Sequence, residues 1–168
     1  RELIGTSVDV GGKPMHLSFD SEGRLSGSQP DMFSIQVPFV FDLPPGNLGT
    51  DLMAKVLEQT SGEIGTLAFL DAETVTRLGI DGPSVVPVIA PSEASKSREF
   101  PNSRLIEIGS WDSQAFETAS SHTHSLVGVR INFDEGWQDD LTDAVESGAT
   151  VIHLLADLHG RGADDSFV

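Results

Sequence analysis

Residues 66–89 read TLAFLDAETVTRLGIDGPSVVPVI, and the order of elements in this stretch decides the fold. Thr66 to Leu70 is a short apolar run of buried-strand type. Asp71 is placed to cap a helix over Ala72–Leu78, a role that suits it better than that of a catalytic acid. Val85–Ile89 is a second apolar run. Strand, helix and strand follow one another with no room for a hairpin, so the two strands are expected to lie parallel.

The same unit recurs outward from this stretch. Upstream, the apolar run 35–41 is followed by Pro44-Pro45-Gly46 and by 48–59, where Leu52, Val56 and Leu57 recur at helical spacing. Downstream, 91–104 is barely long enough for one helical turn. Then come Leu105–Ile108, a helix over 113–120, a strand over 126–133, a helix over Trp137–Glu146 stopped by Gly148, and Val151–Leu155. Nearly continuous apolar strands alternating with helices predict an α/β fold with a parallel sheet covered on both faces. The expectation is a (β/α) barrel-like domain of about six strand-helix units over 34–168, preceded by a lead-in over 1–33. In that lead-in, 7–19 suggests a hairpin around Gly11-Gly12 and 20–31 a polar loop. A closed TIM-type barrel needs eight strands in about 250 residues. Six units are an incomplete barrel that another chain or further sequence would have to close.

Composition narrows the chemistry. There is no cysteine, which removes disulfides, thiolate nucleophiles and cysteine-held metal sites from this chain. Acidic residues number 26 against 10 basic ones, so the summed field argues against nucleic acid and anionic membrane surfaces as partners. A plain solvated surface and adaptation to high salt would both produce that balance. No apolar run reaches membrane-spanning length and no signal-peptide order opens the sequence, which points to a cytoplasmic protein.

Ligands of parallel α/β folds meet the carboxyl ends of the strands, so the residues after each apolar run carry the functional expectation. Asp42 to Asn47 either approaches a flat ligand through Gly46 or forms an ordinary strand-to-helix turn. Trp111 could stack a ring or pack beneath its own loop. Arg130 interrupts an apolar strand, where it must either pair with a carboxylate inside the fold or face an anion or electron-rich ring. Asp157-Leu158-His159-Gly160-Arg161-Gly162 gathers an acid, an imidazole and a guanidinium in one loop, which makes Asp157 and His159 the candidate catalytic groups. His122 and His124 lack the further ligands that a metal needs, and no metal site is expected.

These strand ends resemble the FMN-binding domain of the glutamate synthase family. Pro38-Phe39-Val40-Phe41-Asp42-Leu43 leading to Gly46-Asn47-Leu48 is similar to its P-I-V-F-G-A-M-S-F-G-S-I-S opening, and Gly65-Thr66 to its next strand start. Val129-Arg130-Ile131 followed by Ser147-Gly148-Ala149-Thr150 resembles its V-K-L and A-x-A-G-A-D segments. Its G-H-D-G-G-T-G-A loop falls on 156–163, keeping Gly160, Gly162 and Ala163, and Val10-Gly11-Gly12-Lys13 is similar to its I-G-G-K lead-in.

The resemblance implies bound FMN, with Pro44, Pro45 and Gly46 bordering the flavin, Arg130 in place of a lysine near the isoalloxazine, and Gly160 and Gly162 shaping the substrate side. It departs in several places, among them the glycine-rich loop, where the family's histidine falls on Asp157. The family's N-T-G-E-G-G loop is here Phe69-Leu70-Asp71-Ala72, its lysine-bearing I-K-I-G-Q-G-A-K-P-G segment is Ile108-Gly109-Ser110-Trp111, and its cluster cysteines are absent, so this chain holds no iron–sulfur cluster. Two functions remain open: an FMN-dependent oxidoreductase domain taking a small-molecule ligand, or a non-catalytic barrel-like scaffold or regulatory subunit. Either is expected to self-associate or to meet a second chain at its unpaired sheet edge.

Overall fold

A computed structural model describes residues 7–12, 18–26, 31–45, 48–157 and 160–162. Lys13, Gly46, Asn47, His159 and Ala163, which the sequence singles out, lie outside the described residues.

The expected α/β alternation is present. Five strands, Ala68–Asp71 (β5), Val85–Ile89 (β6), Leu105–Ile108 (β7), Leu126–Asn132 (β8) and Val151–Leu155 (β9), form one parallel sheet in sequential order. The crossovers are Ala72–Leu78 (α2), a 3₁₀ helix over Pro91–Glu99, Ser113–His122 (α3) and Trp137–Glu146 (α4); Asp51–Ile64 (α1) precedes β5. Caps set the boundaries. Side chains of Thr50, Asp71 and Asp112 accept from the amides of Met53, Thr74 and Ala115, and α1 and α2 each end on a left-handed glycine, Gly65 and Gly79. The 3₁₀ crossover is longer than its sequence promises. Pro91 starts it with a preset φ, and nine residues wind as 3₁₀ rather than one turn.

Three expectations at the amino-terminal side are corrected. The run 35–41 is not a strand. Ile35 belongs to Met32–Ile35 (β4), Gln36 to Pro38 bend, and only Phe41 bridges to Ala68, donating to Leu67 O at 2.9 Å and accepting from Phe69 N at 2.8 Å. Pro38 has no N–H to offer a ladder. Nor do the described ends of 7–19 pair with each other as a hairpin's would, residues 13–17 lying outside the described ones. Val8–Gly11 (β1) pairs antiparallel with β4, and Ser18–Phe19 (β2) pairs with Leu25–Ser26 (β3). Gly11 serves close approach, since a Cβ on it would lie 2.4 Å from Asp31 O. Finally, α1 turns Leu52 (72% exposed) and Val56 outward, keeps only Leu57 of the three packed on the core, and buries Ala54 and Ser61. Small side chains let the helix lie close to the sheet.

The sheet has two apolar faces. On one, α1 to α4 and the 3₁₀ helix cover Leu70, Ile89, Ile106, Ile108, Val129 and Ile131. On the other, Leu67, Phe69, Val86, Val88 and Leu105 pack with Ile35, Val10 and Phe33 of the β1–β4 pair. That second face is strongly concave. The Phe69 ring on β5 lies 5.0 Å from the His153 ring on β9, although four strand spacings of a flat sheet would separate them by about 19 Å. No described helix is long and apolar enough to cross a membrane.

Candidate functional site

The concave face carries a polar cluster toward the carboxyl ends of the strands. Strand alternation puts Leu105 and Glu107 of β7, Gly128 and Arg130 of β8, and Val151 and His153 of β9 on one side of the sheet. The lower positions, Leu105 and Val151, belong to the apolar layer closed by β1 and β4. One step further along, the apolar layer gives way to Glu107, Arg130 and His153.

Glu107 is 1% exposed and sits at the centre. Arg130 Nε donates to its Oε2 at 2.7 Å, and His153 Nδ1 lies 2.9 Å from its Oε1. Arg130 Nη2 donates to Asp42 Oδ1 at 2.6 Å, across 88 positions of sequence. Phe69 supplies the floor, its ring centroid 5.8 Å from the Arg130 guanidinium carbon. The two carboxylates differ in their surroundings. Glu107's side chain is 2% exposed and Asp42's 41%, so Arg130 has one fixed partner and one at the solvent edge. A buried charge left unpaired would be costly, and here each Glu107 oxygen has its own partner.

Of the residues singled out from sequence, Arg130 takes the first of its two readings, pairing with carboxylates inside the fold. Through Asp42 it is brought beside the turn that carries Pro44 and Pro45. Pro44 lines a cavity of about 240 Å³ with Leu43, Thr50, Leu70, Asp71 and Thr74, at the amino ends of α1 and α2. Pro45 is exposed and its carbonyl accepts from Leu48 N at 2.9 Å. Beyond β9, Asp157 organises a tight turn: its N donates to Arg161 O at 2.9 Å, and its carboxylate accepts from Arg161 N at 2.8 Å. Gly160 occupies that turn at φ 72°, and Gly162 follows, half-buried. The 42–45 turn, Arg130, Asp157 and residues 160–162 therefore share one end of the sheet.

Other candidates are structural. Asp71 is the cap of α2, accepting from Thr74 N at 3.1 Å. Trp111 packs on Phe116 and donates from Nε1 to Asp143 Oδ2 at 2.9 Å, tying α3 to α4. His122 ends α3 with Nδ1 2.6 Å from Thr118 O, and His124 is exposed. No group of three or more metal-ligating side chains occurs among the described residues. At the opposite, amino end of the sheet, Arg104 lies over Phe33 at 4.5 Å and donates to Pro83 O; burial pushes its guanidinium below its ordinary value.

Glu107 and His153 are the site residues that strand-end reading misses. Each interrupts an apolar strand, Leu-Ile-Glu-Ile and Val-Ile-His-Leu-Leu, in the way that Arg130 does. An ionisable residue inside a buried strand is the signal that would have found all three.

Comparison of the chain with family models, with curated proteins and with solved structures finds no match.

Proposed function

We propose that the chain forms strand-helix units of a glutamate-synthase-like (β/α) barrel, and that its ligand site is the carboxyl-end cluster of Asp42, Glu107, Arg130 and His153. Sequential parallel order and strong curvature support the barrel. The observation that carries the site is the Arg130–Asp42 contact at 2.6 Å, which joins the two distant places that the resemblance assigns to the flavin, the turn after residue 41 and the cation of β8. Closure of an eight-stranded barrel would draw its remaining strands from a second chain or from further sequence.

What supports FMN is that the turn carrying Pro44 and Pro45 meets Arg130 through Asp42 at one end of the sheet. Pro44 and Pro45 would border the ring, and the 157–162 turn would face the substrate side. Arg130 would meet the electron-rich edge once Asp42, the exposed one of its two carboxylates, gives way. When bound, the flavin supplies the redox chemistry. The chain's own part is to orient the ring edge through Arg130, to hold that cation in place with Glu107, and to shield the site beneath with Phe69. The class proposed is an FMN-dependent oxidoreductase acting on a small molecule, with no assignment to glutamate synthesis.

One observation favours the alternative, a barrel-like scaffold or regulatory subunit without flavin: Arg130 already carries two carboxylates. Visible absorption of the purified protein, with an FMN fluorescence titration in the presence of any co-purifying chain, separates the two. A bound flavin spectrum supports the enzyme. A colourless protein that leaves FMN fluorescence unchanged supports the scaffold and ends the flavin proposal.

A further inference from the structure

Glu107 divides its oxygens between two partners, Arg130 at Oε2 and the His153 ring at Oε1. An ionised carboxylate only accepts, so the hydrogen of the 2.9 Å contact belongs to His153 Nδ1. The imidazole keeps 22% exposure, and no described residue hydrogen-bonds its Nε2. Phe69 fixes the ring from one side, at 5.0 Å and 52°. The charged groups around it are Glu107 from β7, Arg130 as its in-register neighbour on β8, and Asp42 beyond Arg130; on its own strand, Asp157 and Arg161 close the turn that follows.

We propose that His153 is the proton-exchanging group of this site, held by Glu107 as the Nδ1–H tautomer so that the Nε2 lone pair is left to the ligand. This rests on the proposed location of the ligand site and does not require flavin. The ligand class is a small molecule whose O–H or N–H lies next to an anionic or carbonyl oxygen that Arg130 can hold. In the transfer, the ligand's O–H or N–H bond breaks and its electron pair stays on the ligand atom. The proton bonds to Nε2, and the positive charge of the imidazolium is offset by Glu107. The proton then returns to the product or leaves to water at the exposed edge of the ring. Glu107 is thereby a positioning residue. An oriented imidazole needs a third group to fix its tautomer, and Glu107 provides it.

The test uses the chain labelled with ¹⁵N-histidine and long-range ¹H–¹⁵N correlation at a pH where the ring is neutral, with H153Q assigning the signal. The expected result is an Nδ1–H tautomer for His153 in the unsubstituted protein and a loss of that population in Glu107→Gln. Acylation by diethyl pyrocarbonate, mapped by peptide mass, gives a second readout: His153 reacts, and Glu107→Gln slows it about tenfold or more. An Nε2–H tautomer, or equal acylation rates with and without the substitution, overturns the proposal. If Glu107→Gln does not fold, the tautomer of the unsubstituted protein decides alone. A colourless protein with the Nδ1–H tautomer would count against flavin only, and a flavoprotein with the Nε2–H tautomer against this inference only.

Discussion

Arg130 holds a positive charge at 7% exposure, and Glu107 holds a negative one at 1%. Replacing one member of such a pair strands the other. Arg130→Met should therefore destabilise the fold by about 3–5 kcal/mol, read from the midpoint of urea unfolding. The double substitution Arg130→Met with Glu107→Leu removes both charges and should recover most of that loss; no recovery would mean that the pair is not the source. Arg130→Lys should fall between, because an ammonium cannot hold Glu107 and Asp42 with a fixed fork. Asp42 lies at the solvent edge, so Asp42→Asn should cost about 1 kcal/mol or less. Arg130's burial problem was legible in the sequence because a cation in an apolar strand demands a partner. Which partner was not, since Asp42 is 88 positions away and only the curvature of the sheet brings it near.

Among the helix boundaries the sequence speaks most clearly at α2 and α4, whereas the helix expected over 48–59 runs instead over Asp51–Ile64. Asp71 accepts from Thr74 N, and Asp71→Ala should lower stability by about 1 kcal/mol while Asp71→Asn keeps most of the cap. The strands β6, β7 and β9 and the helices α2 and α4 run as their apolar patterns and capping residues imply, because those signals are local. The amino-terminal pairing is different in kind. β1 finds β4 across more than twenty residues, and Gly11 looks like a turn residue until Asp31 O is placed beside it. The outward stripe of Leu52 and Val56 likewise defeats helical periodicity, which assumes that the larger apolar side chains are the buried ones. Between α1 and α2, Asp51 and Arg77 pair bidentately at 2.8 and 2.9 Å. The hydrogen bond from Arg77 holds the Asp51 carboxyl below its ordinary value of 3.8. The stabilisation is thus complete above that value and lost as pH falls through the lower folded one. Comparing Asp51→Asn with the unsubstituted chain, the stability difference should shrink below about pH 4 and also in high salt. A difference that grows on acidification would contradict this sign.

At the scale of the whole molecule, a net charge of −16 on 168 residues opposes compaction. Raising potassium chloride from about 0.1 to about 1 M, where the screening length falls to roughly 3 Å, should raise Tm; an unchanged Tm would show that the acids are already spaced beyond mutual repulsion. The alternating strand-helix order was legible from Thr66 onward, where each unit repeats the same local pattern, but not over 35–41. The curvature was not, because it is a property of how the strands assemble, and it is the curvature that turns scattered polar residues on β7, β8 and β9 into one site. The proposed function makes this carboxyl-end cluster the place where a flavin-sized ligand binds. Backbone amide chemical-shift mapping during titration with FMN tests it most directly. The predicted result is a saturable set of perturbations at Asp42, Leu43, Glu107, Arg130, His153 and Gly160 to Gly162. Perturbations confined to the amino end around Phe33 and Arg104, or none at all, would contradict it.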